Sequence, residues 1–428
     1  MSKLAILGGE PEVNIKKPHF VWPEIGEDEK NAVMKQLETG CISINNMSGI
    51  IKDFEEEFAS YHAMKYALST NNGTSALLSA YFACNISDGD EVIVPAYTFM
   101  ATVTPLLHLN AIPILCDGNS ENGNIDPNEI KKRVTNKTKA IVVTHVWGHP
   151  CEMDEIVKIA KDNNLYLIED CSHAHGATYK GRKVGTFGDV SCFSLQGKKI
   201  IYAGEGGILL TNNEIIYERA VLYGHYRART KQCVKKEFLV DYASTGYGLK
   251  FRMHPLAAAL AKVGLKKLDE RIDQRRKNLD YFSELLKDIK GIDPPITKDY
   301  VTRGAYYGYK PLYKSEELGG LPIKTYVRAL QAEGLEIHEP GSAPLNSYKL
   351  FQENYSEIYK DEWPLRNSFA FKDNKYKLGD FPVVEEYYSK ALSLPTFTGE
   401  NDKKIIELYA SAFKKIADNY MELLKITI

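Results

Sequence analysis

From Ser69 to Thr211 the chain alternates short, almost wholly apolar runs with amphipathic helical stretches, and this alternation restricts the fold more than any other feature. Residues 91–94, 112–115, 140–144, 165–168 and 206–211 read as buried strands, while residues 152–161 carry a helical period. Strands that do not alternate apolar with polar are covered on both faces, so the pattern predicts a mainly parallel sheet flanked by helices. Ligands of such sheets bind beyond the carboxyl ends of the strands, which makes the polar residues there the first candidates for function.

The 428 residues are 44% hydrophobic and 26% charged, with a formal net charge of -2. That is globular composition, enough for one large domain and a smaller one. The balance of charge carries no footprint of nucleic acid or of an anionic membrane, and no apolar run approaches a membrane span. The apolar stretch near the N-terminus is too short for a secretory signal, which predicts a cytoplasmic protein. Seven cysteines without Cys-x-x-Cys spacing read as reduced, mostly buried thiols, with Cys84, Cys116 and Cys192 in apolar surroundings. No metal site is expected from this spacing.

Beyond the alternating region, residues 253–289 read as one long helix, a spine between two domains, with residues 306–312 as a strand after it. Helices over 324–333 and 401–424 complete a smaller α+β domain, and the aromatic-rich stretch 339–383 reads as an ordered segment near substrate or an interface. The expected division is 1–270, an N-terminal arm and large domain ending in the spine, and 271–428. Gly8-Gly9 lacks the strand–glycine–helix context of a nucleotide fingerprint.

Chemistry gathers at the strand ends. Asn71-Asn72-Gly73-Thr74-Ser75 enters a helix, where glycine admits close backbone approach and Thr74 or Ser75 offers hydroxyl and N–H groups at the positive helix end. Such a start suits a phosphate, although a plain capped helix looks the same. Phe99 follows strand 91–94 and could lie flat on a planar ring or serve the core. Strand 165–168 ends in Glu169-Asp170-Cys171-Ser172-His173: Asp170 can pair with a protonated pyridine nitrogen, and His173 can reach a ring hydroxyl. Ser194 closes strand 190–193, and Lys199 lies between it and Gly204-Glu205-Gly206-Gly207. Burial would lower the Lys199 amine pKa and free its lone pair for an aldehyde, as a Schiff-base lysine requires, whereas an isolated Lys-Lys pair is ordinarily solvated. Phosphate cradle, flat aromatic, pyridinium partner and reactive amine together match one molecule, pyridoxal 5′-phosphate (PLP).

In order, these segments, with Val92-Ile93-Val94-Pro95, His145-Val146-Trp147-Gly148, Gly188-Asp189-Val190-Ser191-Cys192-Phe193-Ser194, Glu205-Gly206-Gly207 and Ala391-Leu392-Ser393-Leu394-Pro395, resemble the DegT/DnrJ/StrS family of sugar aminotransferases. The resemblance covers most of the chain. It implies a fold type I PLP enzyme, with a mainly parallel seven-stranded sheet flanked by helices, a smaller C-terminal α+β domain, and a homodimer with shared active sites. It also implies that Lys199 binds the cofactor aldehyde and shuttles protons, that Asp170 holds the pyridine nitrogen and His173 the ring oxygen, that Phe99 stacks on the ring, and that Gly73, Thr74 and Ser194 hold the phosphate. Two positions depart from the pattern. Gln196 stands where the family often has His, and Lys250 where it has an Asn that reaches the partner's cofactor phosphate. Lys250 could do so as a point charge or turn outward.

The activity implied is amino transfer from glutamate or glutamine to a keto-sugar, nucleotide-linked, or alternatively to a keto-cyclitol of the scyllo-inosose type. A PLP-dependent sugar dehydratase is a second reading, but those relatives carry histidine in place of the lysine that Lys199 supplies. A PLP-binding regulator without turnover is a third. Candidate substrate contacts are His225, Tyr226, Arg227 and Arg229, whose basic cluster could equally be a solvated loop, and the segment 338–345.

Overall fold

The computed structural model describes residues 3–352 and 376–425. Seven strands form the main sheet: β1 (Tyr66–Thr70), β2 (Glu91–Pro95), β3 (Ile112–Cys116), β4 (Thr138–Thr144), β5 (Tyr166–Asp170), β6 (Val190–Ser194) and β7 (Gly207–Thr211). Their order is β1-β7-β6-β5-β4-β2-β3. Pairs β2/β3, β2/β4, β4/β5 and β5/β6 are parallel, and β7 runs antiparallel between β1 and β6. Consecutive residues Val92, Ile93 and Val94 are all fully buried, the mark of a strand covered on both faces. Each such side chain contributes roughly 1.5–3 kcal/mol by leaving water.

The covering helices include α1 (Glu27–Glu38), α2 (Gly49–Tyr61), α3 (Gly73–Ala83) and α4 (Met153–Asp162). Asn72 caps α3, its side-chain oxygen accepting the Ser75 N–H at 2.8 Å, so the helix starts immediately beyond the end of β1. Cys84, Cys116 and Cys192 pack in the interior as expected, and Cys41 is exposed.

The spine is two helices rather than one. α5 (Pro255–Lys266) and α6 (Leu268–Leu286) meet at Lys267, whose backbone (φ −92°, ψ 2°) leaves the helical range. The apolar pattern continues across the break, so the sequence conceals it. The strand expected over 306–312 is also corrected. Only Leu312–Tyr313 forms a strand, paired with Ile292–Asp293, and Tyr309 makes an isolated bridge to Leu394. Tyr306 has φ +44°, a left-handed conformation that interrupts the extended run.

α7 (Ile323–Ala332) and α8 (Lys403–Leu423) match the expected helices to within two residues. Around them lies a second core in which Leu279, Phe282 and Leu286 of α6 meet Tyr309, Leu330 and Phe413; Leu4 and Val13 from the N-terminus join it. Leu345, Phe351 and Val384 pack on the core of the main sheet instead. Residues 353–375 of the aromatic-rich segment lie outside the described residues. Among the described residues no helix is long and apolar enough to cross a membrane.

Candidate active site

A cavity of about 490 Å³ opens beyond the carboxyl ends of the parallel strands. Gly73, Thr74, Phe99, Asp170, His173, Ser194 and Lys199, drawn from four separate stretches of sequence, all line it.

Lys199 is buried, and its amine makes no hydrogen bond or ion pair among the described residues. Burial pulls its pKa down to about 7, with the charge of Asp170 opposing the shift. Its backbone is held at both ends, the N–H donating to Gln196 O at 2.8 Å and the carbonyl accepting from Trp22 Nε1 at 3.0 Å. Its neighbour Lys198 is exposed, so the two lysines have different fates despite adjacent positions. Gln196 lines the cavity, and its side-chain oxygen accepts the Lys198 N–H at 2.9 Å.

Asp170 ends β5 with both oxygens engaged. Oδ1 accepts the Ser172 N–H at 3.0 Å and Oδ2 accepts the Thr102 hydroxyl at 2.8 Å. Thr102 in turn lies 2.7 Å from the Thr98 hydroxyl, which reaches Thr144 at 3.1 Å. His173 is buried, and its Nδ1 has no partner among the described residues. Burial first, then the charge of Lys199, holds it well below the ordinary histidine range, so the ring is neutral.

The start of α3 presses against the end of β6: a Cβ on Gly73 would sit 2.9 Å from the Cβ of Ser194. Only glycine permits that approach, which brings Ser194 against the N-terminus of α3, where Thr74 also lines the cavity. Phe99 lies at the cavity wall, half exposed.

Other expected residues fall elsewhere. Ser75 does not line the cavity; its N–H is occupied by the Asn72 cap and its carbonyl by the Ser79 hydroxyl. Lys250 is exposed and stands away from this chain's cavity. His225, Tyr226, Arg227 and Arg229 do not line it either. Arg229 is buried rather than solvated, paired with Glu55 Oε2 at 2.8 Å. His225 is buried with both ring nitrogens unpartnered, its pKa pushed down to about 3 by burial, then by Arg229 and Arg252. Arg227 is exposed. Segment 338–345 reaches the cavity through Ser342.

Sequence reading overlooked Thr102, Trp147 and Tyr307 as cavity residues. His145, Glu169 and Cys171 lie close enough together to share a metal ion. Protein donors already fill those positions: Glu169 accepts the N–H groups of Gly185, Phe187 and Gly188 at 2.7 Å each, and His145 Nδ1 accepts that of Cys151. Glu169 thereby pins the 185–188 turn to β5.

The pattern of the DegT/DnrJ/EryC1/StrS aminotransferase family matches residues 23–411. The chain belongs to this family. It is similar to the GDP-perosamine synthase of Escherichia coli O157:H7, 30% identical over 91% of this chain and 96% of that one. It is also similar to the L-glutamine:2-deoxy-scyllo-inosose aminotransferase of Micromonospora echinospora, 29% identical over 99% of this chain and 100% of that one. The crystal structure of the aminotransferase from Psychrobacter cryohalolentis superposes with a TM-score of 0.80, at 28% identity, covering 94% of this chain and 100% of that one. The protein is a PLP-dependent aminotransferase of fold type I. Its cavity suits that cofactor on the chemistry of the residues present: an unpartnered buried amine, a strand-end carboxylate, an orphaned neutral imidazole nitrogen and a glycine-bounded helix start.

Proposed function

We propose that this aminotransferase moves an amino group from glutamate or glutamine to the ketone carbon of a nucleotide-linked keto-sugar, and that Lys199 carries the proton transfers. The observation that carries the reading is the Lys199 amine, buried beside Asp170 and His173 with a pKa brought down to about 7. An amine tuned to that value is neutral often enough to take a proton and protonated often enough to return it. When bound, PLP supplies an aldehyde for the donor amine and an electron sink for the carbon that loses its proton. Asp170, fixed by Thr102 and Ser172, would hold the proton on the pyridine nitrogen. His173, neutral, would donate toward the ring oxygen, and Gly73, Thr74 and Ser194 would hold the phosphate. Phe99, at the cavity wall, would stack on the ring.

The enzyme acts as a homodimer in this reading. Phe238, Val240, Tyr242, Tyr247 and Leu249 are exposed apolar residues around Lys250, which supports a subunit interface that carries Lys250 to the partner's cofactor phosphate. The same reading divides the domains near residue 270, supported by the break between α5 and α6 and by the second core that residues 4–13 join. Seven unbridged cysteines support a cytoplasmic setting.

One observation favours a second acceptor. One relative that covers 99% of this chain is named for 2-deoxy-scyllo-inosose, a keto-cyclitol. The test is a panel of nucleoside-diphosphate keto-hexoses set against scyllo-inosose-type ketones, with glutamine or glutamate as donor. Keto acid released from the donor without any acceptor marks an aminotransferase half-reaction. Silence with both donors would return the protein to a regulatory or dehydratase role, and amination of the cyclitol alone would reject the nucleotide-sugar acceptor.

A further inference from the structure

Two bulky aromatic residues hold left-handed backbone conformations beside the cavity, Trp147 at φ +53° and Tyr306 at φ +44°. A left-handed conformation at residues this large is uncommon, and such strain persists only where the surroundings enforce it. Gly308 is part of that enforcement, since a Cβ there would lie 2.5 Å from Trp147 Cε3. The product of both distortions is one aromatic cluster. His173 stacks on Tyr307 at 4.2 Å and on Trp147 at 5.2 Å, with the Trp147 and Tyr307 planes 6° apart. The Lys199 Nζ stands 3.7 Å from the Tyr307 ring centroid.

We propose that Tyr307 is a positioning residue for Lys199, its ring face holding the unbound amine beside His173 between proton transfers and favouring the ammonium against burial. The inference rests on the aminotransferase reading of Lys199. An aromatic face attracts a cation and does little for a neutral amine, so it gives the free lysine a defined station only in its protonated state. No other described side chain makes a polar contact to that amine, so the ring is its direct partner. The other groups facing Lys199 are Asp170 at the end of β5, His173 and His175 in the loop that follows, Glu205 across the cavity and Lys198 beside it, with Lys310 behind Trp147.

The test replaces Tyr307 by Phe and then by phenylalanines of increasing fluorination, which weaken the ring face while keeping its shape. The pH midpoint for reductive methylation of Lys199 in the full cofactor-free chain is read by mass spectrometry. The midpoint should fall stepwise, by about one pH unit in total; a flat series overturns the proposal. In the holoenzyme, Tyr307→Leu should lower kcat of the donor half-reaction about tenfold with little change in donor KM, and Tyr307→Phe should restore it. Leu at wild-type kcat, or Phe as impaired as Leu, overturns it as well. A wild-type enzyme inert toward every donor would defeat the aminotransferase reading, while the fluorination series would still report on the ring and the amine.

Discussion

Thr102 Oγ1 donates to Asp170 Oδ2 at 2.8 Å, joining the 3-10 turn after β2 to the end of β5 across 68 residues of sequence. Asp170 has no charged hydrogen-bond partner among the described residues, so its orientation depends on this hydroxyl and on the Ser172 N–H. Replacing Thr102 by Val keeps the volume and removes the donor. A hydrogen bond to a charged group is worth about 1.5–3 kcal/mol, so PLP affinity should fall at least about tenfold. Thr102→Ser should stay near wild type. Titration of the cofactor-free protein with PLP decides it, and equal affinities in Val and Ser variants would show that Asp170 needs no such support.

Lys199 makes the cofactor-free protein's stability depend on pH. Its folded pKa, about 7, lies below that of an unfolded lysine. The unfolded chain therefore binds a proton that the folded chain lacks over the window between pH 7 and the ordinary lysine value. Stability rises with pH through that window; the burden is complete below about pH 7 and gone near the unfolded value of about 10.4. Lys199→Met should raise the melting temperature at pH 7 by several degrees and lose that advantage as the pH approaches 10. Parallel melting curves for the two proteins would reject this account of the lysine's burial.

Much of this was legible in the sequence because its physical cause was local. Val92-Ile93-Val94 and Ile141-Val142-Val143 are apolar on every residue, and that alone announces a strand covered on both faces. Lys199, Asp170 and Gly73 were found because strand ends collect ligands. What escaped depended on partners far along the chain. β1 carries Ser69 and Thr70 in its second half, so it lacks the apolar run that marked the other strands. Arg229 sits among Arg227 and Lys231 like a surface residue, and Glu55, 174 positions earlier, turns it inward together with the Tyr217 hydroxyl. Tyr307 belongs to no motif; the strain at Tyr306 and the space left by Gly308 aim it at Lys199.

That buried pair makes a prediction of its own. Arg229 and Glu55 are each 2% exposed, and Glu55 also accepts the Ser69 N–H and hydroxyl at 2.9 and 2.8 Å. Arg229→Ala leaves a carboxylate stranded in the interior, which costs about 3–5 kcal/mol. Urea denaturation should show that loss, while KM for donor and acceptor in the folded fraction stays within about twofold, as a structural rather than a binding role requires. A large rise in KM with unchanged stability would return Arg229 to the substrate.

Glu333, fully buried at the end of α7, ties the N-terminal arm to the smaller domain. Its carboxylate accepts the N–H of Ala5 at 2.8 Å and of Glu12 at 3.1 Å, and pairs with Lys415 Nζ at 2.9 Å. Lys415 also donates to Glu10 O at 2.7 Å, so one ion pair fastens three points of the arm. Glu333→Ala leaves the buried Lys415 ammonium with only the partly exposed Glu12 carboxylate, at 3.6 Å, as a charged partner and should cost about 3 kcal/mol. The double variant Glu333→Leu with Lys415→Met removes both charges together, so much of the global stability should return. The arm's N–H groups remain without their acceptor in either case. Limited proteolysis therefore separates the two effects: both variants should be cut within the arm under native conditions, where the wild type resists. An arm that stays protected in the double variant would mean that Leu4 and Val13, packed in the second core, hold it without the carboxylate.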